Sequence, residues 1–203
     1  MWTGSGRVLV RLDARTGAVL DRMTLPPGQS VGGVAFSPDG TIMYGSTATP
    51  GPGGGGLVRE YSMATGRVLA VTSESPASIM TSFSAGPAMV AMPGRLWVYS
   101  RTGMMGASAL LNQATLTVLR QPRPETFNGP YEWGEGADAV YQDGVLWWAD
   151  SSGYLACIDP ATGTVRASDT LTSPISQILA VTRQVYVVVN AGVAAITPPA
   201  ACR

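Results

Sequence analysis

The chain has 203 residues, and 45% of them are hydrophobic, which is enough to form a packed domain. Thirteen basic residues balance thirteen acidic ones, and every basic residue is arginine, because the sequence contains no lysine and no histidine. A chain without net positive charge has no field to gather phosphates, so nucleic acid is not an expected partner. The missing histidine and lysine exclude Ser-His-Asp and Cys-His relays, imidazole metal ligands, Schiff-base amines and a P-loop lysine. We therefore expect no catalytic residues, no metal site and no cofactor.

Glycine and proline are frequent, with 25 and 15 copies, which indicates many turns between short strands. No run of about 18 uninterrupted apolar residues occurs, so no membrane span is expected. The first clear element is a hairpin over residues 8–20, in which two apolar strands flank the turn Asp13-Ala14-Arg15-Thr16-Gly17. We predict that the Asp13 side chain caps backbone N–H groups of the turn and that Gly17 takes a positive φ.

The same hairpin recurs three more times, over residues 58–69, 109–119 and 154–165. The Thr-Gly pair of its turn, which becomes Thr-Leu in the third copy, has its second residue at positions 17, 66, 116 and 163. A period of about 50 residues is typical of β-propeller repeats.

A second hairpin falls in each interval, over residues 33–44, 89–98, 139–148 and 179–188. Its predicted turns are Asp39-Gly40, Pro93-Gly94, Asp143-Gly144 and Arg183-Gln184. Two hairpins per repeat make a four-stranded antiparallel blade, so the predicted fold is an all-β propeller with about four blades. The alternative is a β-sandwich or barrel, which also uses short strands at regular spacing but has no reason to repeat one turn four times.

The predicted blade divisions within this single domain are 1–30, 31–78, 79–136, 137–175 and 176–203. With strands named a to d from the propeller axis outward, the sequence starts in a b strand and ends in a c-like strand. We expect part of a seven- or eight-bladed propeller, with a closed four-bladed ring and a half that pairs with a second copy as alternatives. Open blade faces carrying Val8, Val10, Val187 and Val189 predict self-association.

These motifs resemble those of the YVTN- and YncE-like group of bacterial propellers. The likeness lies in the turn Ser37-Pro38-Asp39-Gly40, in the hairpin turn Asp159-Pro160-Ala161-Thr162-Gly163 and in the strand Tyr186-Val187-Val188-Val189-Asn190. It covers essentially the whole chain and implies a propeller fold with a periplasmic, cell-surface or secreted location. The related PQQ-like, quinoprotein-type blades carry a docking tryptophan four residues after the turn glycine. This sequence has Asp21, Ala70, Arg120 and Ala167 there, which argues against PQQ-dependent activity.

Binding sites of propellers usually form on the face that carries the b–c and d–a connections. One enlarged connection, residues 47–56, is rich in glycine and is interpreted as a tolerated insertion. The other, residues 121–136, concentrates aromatic and charged side chains as a recognition surface does. Its candidate binding residues are Arg123, Glu125, Phe127, Tyr131, Glu132, Trp133 and Glu135. An alternative is that Tyr131 and Trp133 fold back to cap a blade.

Three further predictions concern carboxylates, tryptophans and cysteines. Glu132, Glu135 and Asp138 offer carboxylates for Ca²⁺, but no spaced motif supports such a site. Trp97, Trp147 and Trp148 are predicted to pack between blades, with the adjacent pair on opposite faces. Cys157 and Cys202 are not expected to pair, because one lies in a c strand and the other at the C-terminus.

Two functions are consistent with these observations. The favoured one is a non-enzymatic binding or scaffold module that recognises a protein, peptide or glycan through its loop face. The alternative is part of a propeller enzyme, of PQQ-like dehydrogenase or lactonase/lyase type, whose catalytic residues lie outside this chain. The missing histidine favours the binding module.

Overall fold

The computed structural model of the chain describes residues 2–25, 27, 30–48, 56–72, 88–99, 108–120, 138–150, 152–181 and 184–203. These residues form five antiparallel sheets, of which the second, third and fourth have four strands and the first and fifth have three. The first sheet contains β1 (Trp2–Ser5), β2 (Val8–Leu12) and β3 (Val19–Thr24). The second contains β4 (Ser30–Phe36), β5 (Ile42–Ala48), β6 (Gly56–Ser62) and β7 (Val68–Val71). The third contains β8 (Ala88–Met92), β9 (Arg95–Tyr99), β10 (Ser108–Asn112) and β11 (Val118–Arg120). The fourth contains β12 (Asp138–Gln142), β13 (Val145–Ala149), β14 (Tyr154–Ile158) and β15 (Val165–Thr170). The fifth contains β16 (Ile175–Val181), β17 (Gln184–Val189) and β18 (Gly192–Ile196).

Each sheet is a meander in which strands consecutive in sequence are hydrogen-bonded neighbours. The a strands β4, β8, β12 and β16 each contact the next a strand, as strands around a propeller axis do. The b and c strands of the three four-stranded sheets are largely buried, whereas their d strands are mostly exposed. The predicted all-β propeller is confirmed, while the residue limits predicted for the blades remain a prediction. Within the described residues, no helix has the length and apolar character needed to cross a membrane.

The repeated turn between the c and d strands has the same two backbone hydrogen bonds in all four copies. In the first copy, Asp13 Oδ1 accepts the N–H groups of Arg15 and Thr16 at 2.8 Å each. Asn112 and Asp159 accept the equivalent pairs of N–H groups in the third and fourth copies. The glycines at 17, 66 and 163 have φ of 72°, 68° and 69°. The predicted cap and the predicted positive φ are both confirmed, and the turn survives in the third copy because Leu116 itself adopts a φ of 54°.

Four hydrophobic clusters join the five sheets, one at each interface between neighbours. Successive residues of a b strand point to opposite interfaces, as the pleat requires. On β9, Leu96 packs toward the second sheet and Trp97 toward the fourth. On β13, Trp147 packs toward the fifth sheet and Trp148 toward the third, where its ring centroid lies 5.8 Å from that of Tyr154. The prediction that these tryptophans pack between blades, with the adjacent pair on opposite faces, is confirmed.

The position that carries a docking tryptophan in quinoprotein blades also joins two blades here, with a different side chain. Arg120 occupies it at the end of β11, and its Nη1 donates a hydrogen bond to the backbone oxygen of Thr162. Thr162 lies in the turn between β14 and β15 of the next sheet. The third and fourth blades are therefore connected at this position by a guanidinium–carbonyl contact.

Cys157 and Cys202 form a disulfide, with their Cα atoms 6.0 Å apart, so the prediction that they stay unpaired is wrong. The C-terminal residues fold back as a 3₁₀ turn, Ala200–Cys202, which contacts β15. Cys202 is thereby buried in the cluster between the fourth and fifth sheets. No sequence pattern predicts this return, because residues 198–201 are proline and alanine and show no apolar periodicity.

The outer face of the fifth sheet is apolar, but different residues form it than the sequence predicted. Val187 is fully buried against the fourth sheet, and Val189 packs against the same cluster. The exposed large side chains of this sheet are instead Leu179, Val181 and Val193, which are 57%, 46% and 68% exposed. The prediction that Val187 and Val189 lie on the open face is wrong, because the odd-numbered residues of β17 point toward the fourth sheet.

Candidate functional site

One position of the repeat sets the second sheet apart from the others. This position lies in the c strand, two residues before the residue that begins the c–d turn. Its side chain faces the next sheet, and it pairs across the strands with an aromatic residue of the b strand. The equivalent cross-strand pairs are Tyr44–Glu60, Trp97–Leu110 and Trp147–Cys157. In the third sheet both side chains are buried and apolar, and in the fourth the cysteine forms the disulfide. Among these three pairs, only that of the second sheet has a carboxyl group at the interface position.

Glu60 is one of the residues that line a cavity of about 570 Å³ between the second and third sheets, on the face of the a–b and c–d turns. We call this cavity the Glu60 groove. Its described lining consists of Ser37, Pro38, Asp39, Ile42, Tyr44, Glu60, Pro93, Gly94, Asn112, Gln113 and Ala114. The volume lies within the range of small-ligand sites, and apolar walls with few polar groups are typical of them.

The Glu60 side chain is held in an unfavourable environment for a charge. The residue is only 8% exposed, and its Oε2 has no hydrogen-bond partner among the described atoms. Burial raises the pKa of Glu60 above the ordinary 4.5. A buried acceptor without a donor costs free energy unless something satisfies it.

Tyr44 lies directly across the strand pair from Glu60 and is buried as well. Burial raises the pKa of Tyr44 to about 12, with smaller contributions from the charges of Glu60 and Asp39, while a hydrogen bond from Gln113 acts in the opposite direction. The Gln113 side chain is itself fixed, because its Oε1 accepts the Gly94 N–H at 2.9 Å. The tyrosine hydroxyl therefore stays protonated and is positioned from the third sheet.

Asp39 stands at the exposed rim of the groove, in the turn between β4 and β5. Its Oδ1 accepts hydrogen bonds from Ser37 Oγ at 2.5 Å and from the Thr41 N–H at 3.1 Å. The Ser37 bond and the Thr41 bonds lower the pKa of Asp39 below 3.8. The described lining thus contains two carboxyl groups and no arginine, which gives the groove a negative field.

A second cavity of about 690 Å³ lies on the same face, between the fourth and fifth sheets. Trp147 and the disulfide-bonded Cys202 line it, with Asp143 and Arg203 among its polar groups. Asp143 adopts a φ of 51° and Gly144 a φ of 81°, as expected for the predicted Asp-Gly hairpin turn. Across the described residues, no group of three His, Cys, Asp or Glu side chains is arranged to hold a metal ion.

The binding residues predicted from the sequence belong to a part of the chain that the structure does not describe. Arg123, Glu125, Phe127, Tyr131, Glu132, Trp133 and Glu135 all lie outside the described residues, as do residues 49–55 of the glycine-rich connection. Asp138, the third predicted Ca²⁺ ligand, is described. Its Oδ2 accepts the Ile178 N–H at 2.9 Å, so this carboxylate joins the fourth sheet to the fifth.

Sequence reasoning missed Glu60, although the repeat contains a signal that identifies it. Aligning the four copies on their turns places Glu60 with Arg11, Leu110 and Cys157. An acid at a position that is leucine in the next copy, on the face shared with Val58, breaks the apolar pattern of an interface. Such a break in local consistency is expected at functional sites.

Solved structures similar to this chain include β-propellers. BamB from Moraxella catarrhalis matches 96% of this chain and 54% of its own length, with a TM-score of 0.65 and 14% identity. The β-propeller domain of Cps50 (Swd1) from Myceliophteria thermophila matches 93% and 59%, with a TM-score of 0.63 and 14% identity. The computationally designed Ika4 protein matches 85% and 93%, with a TM-score of 0.60 and 12% identity.

At these identities the likeness extends to the fold. The chain spans about half the length of the BamB chain that it matches. No protein-family model and no curated protein matches the sequence.

Proposed function

We propose that this chain is a non-enzymatic β-propeller module that binds a protein, peptide or glycan. The observation that carries the proposal is the Glu60 groove, a concave site between two sheets with apolar walls and a buried carboxyl oxygen that has no hydrogen-bond partner among the described atoms. A groove with apolar walls and few convergent polar groups is suited to holding a ligand. The sequence adds that no histidine or lysine is present to act as a base or an amine nucleophile.

The connection 121–136 belongs to the same proposal as a second recognition surface. It leaves β11 after Arg120 and enters β12 at Asp138, so it joins a d strand to an a strand. In a meandering blade those ends lie on the face opposite the Glu60 groove. Its tyrosine, tryptophan and phenylalanine supply contact area, and its arginine and glutamates supply orientation.

Location and relationship are part of the proposal as well. The Cys157–Cys202 disulfide supports a periplasmic, cell-surface or secreted location, because such bonds persist in oxidising compartments. A relationship to the YVTN- and YncE-like group is supported by the Ser37–Asp39 hydrogen bond, which gives its signature turn a structural role.

The proposal is tested by probing arrays of peptides and glycans with the purified chain and measuring the affinity of each hit by calorimetry. We expect a ligand with micromolar affinity. The double variant Tyr131→Ala/Trp133→Ala tests the loop surface and Glu60→Leu tests the groove, with Tyr186→Ala as the aromatic control. At least one of the two test variants, that of the loop or that of the groove, should weaken binding about tenfold or more, as removal of a central contact residue does. Absence of any ligand, or equal affinity in all variants, would contradict the proposal.

A further inference from the structure

We propose that the Glu60 groove recognises a basic side chain, an alkylammonium or guanidinium group presented by a peptide segment. This inference rests on the proposed function, which makes the chain a binding protein, and it assigns the chemistry of one of its sites. Three features of the groove carry it: the carboxyl group of Glu60, the charge of its rim, and the shape of its walls.

The first feature is the Glu60 carboxyl group, whose buried Oε2 has no hydrogen-bond partner among the described atoms. An ionised carboxylate is an acceptor only, so what completes it must be a donor. Cations are the strongest donors for such a group, because both charge and hydrogen bond contribute. A cation entering the groove would also offset the desolvation that an isolated carboxylate suffers there.

The rim strengthens this preference. Asp39 is kept ionised by the donors of its own turn, and the remaining polar lining residues of the rim, Ser37, Asn112 and Gln113, are neutral. Since no arginine is among the described residues that line the groove, no cation of this lining competes with the incoming one for the two carboxyl groups. An anionic ligand would meet two carboxyl groups and is disfavoured.

The walls suit the aliphatic stem of a long basic side chain. Pro38 and Ile42 contribute from the second sheet, and Pro93 contributes from the third. Tyr44 also lines the groove, across the strand pair from Glu60, and aromatic rings attract cations. A volume of about 570 Å³ accommodates a side chain together with the backbone on either side of it.

The repeat supplies an internal comparison. The third sheet has Trp97 and Leu110 where the second has Tyr44 and Glu60, and both of those side chains are 1% exposed. The second sheet therefore exchanges a packed aromatic–leucine pair for a hydroxyl and a carboxyl group. Such an exchange weakens the apolar packing at this interface and places polar groups for ligand recognition at the same position.

The test is a carboxyl-carbon NMR titration of glutamate-labelled chain with short blocked peptides. The sequence has five glutamates, so the Glu60 signal is assigned by its loss in Glu60→Gln. The probes are acetyl-Gly-Arg-Gly-amide, its lysine counterpart, and the citrulline peptide, which is the neutral isostere of the first. The arginine and lysine arms distinguish guanidinium from ammonium.

We expect saturable movement of the Glu60 signal with at least one basic peptide and a citrulline affinity lower by about tenfold or more. Glu60→Gln should weaken binding of the basic peptide by a similar factor, and Glu60→Leu should abolish it while the fold is retained. Asp169→Asn, which removes an exposed carboxylate on β15, is the charge-matched control and should bind normally.

Equal binding of the arginine and citrulline peptides, or unchanged binding in Glu60→Gln, would overturn the inference. So would no signal movement up to about 10 mM peptide, which exceeds the Kd of a weak contact. A ligand found on the arrays that binds Glu60→Leu normally would leave the proposed function standing and reject only this inference.

Discussion

Replacing Leu116 separates two effects that usually appear together, loss of a buried side chain and relief of backbone strain. Leu116 is 2% exposed within the cluster between the second and third sheets, and its φ is 54°. Leu116→Ala and Leu116→Gly both remove the leucine, which costs about 2–5 kcal/mol. Alanine remains strained at positive φ by about 1 kcal/mol, whereas glycine does not.

We therefore expect the free energy of unfolding to decrease in the order wild type, Leu116→Gly, Leu116→Ala, with about 1 kcal/mol between the two variants. Urea unfolding followed by tryptophan fluorescence measures it, provided that the m-values agree. The control is Ala114→Gly in the same turn, where glycine should be the less stable residue by about 0.5–1 kcal/mol. Leu116→Ala at least as stable as Leu116→Gly would refute the reasoning.

Four further predictions concern the turns, the charges and the open face. Gly153→Ala should cost more than about 2 kcal/mol, because Gly153 has a φ of 92° and an added Cβ would overlap the Leu171 oxygen and lie 2.9 Å from the Ser173 oxygen. Gly144→Ala, with a φ of 81° but open space, should cost about 1 kcal/mol, and equal losses in thermal unfolding would contradict this. Asp159 Oδ2 accepts a hydrogen bond from Arg166 Nη2 at 2.6 Å, and this bond holds the pKa of Asp159 at about 2. The stabilisation from this ion pair is present above pH 3.8 and is lost as the pH falls toward 2. Asp159→Asn should therefore lower the free energy of unfolding by about 1 kcal/mol near neutral pH and leave it unchanged near pH 2. A difference that does not change with pH would contradict this prediction. For Glu60 the pH dependence of stability has the opposite sign. Because its pKa is raised, the stability of the wild type relative to Glu60→Gln decreases as the pH rises above 4.5. Tyr44 and Asp39 are the titratable groups that face Glu60. Sedimentation should show self-association of the wild type that Leu179→Lys/Val193→Lys reduces, and a concentration-independent monomer would count against the apolar face as a contact surface.

The fold was predictable because its information is local and repeated. The turn Asp13–Gly17 and its copies depend on a side-chain cap and a positive φ, both of which sequence chemistry specifies within five residues. The a–b hairpins follow from alternating apolar residues, and the opposite orientation of Trp147 and Trp148 follows from the pleat.

The site was not predictable from composition or motifs. Glu60 becomes informative only when the repeats are aligned and the interface it faces is known, since on a solvent-facing strand position an acid needs no explanation. The Cys157–Cys202 bond depends on the path of a terminal segment without apolar periodicity. The open-face residues were misassigned because a shift of one residue reverses every side chain of β17.

The central claim is that Glu60 is kept at an interface position where packing alone would select an apolar residue. Equilibrium unfolding of Glu60→Leu tests it directly, because this variant restores the residue type found at Leu110. We predict that Glu60→Leu is more stable than the wild type by about 1–3 kcal/mol, since it buries an apolar side chain and removes a desolvated carboxyl group. A variant of equal or lower stability would show that Glu60 is already satisfied by the fold, and would contradict the account.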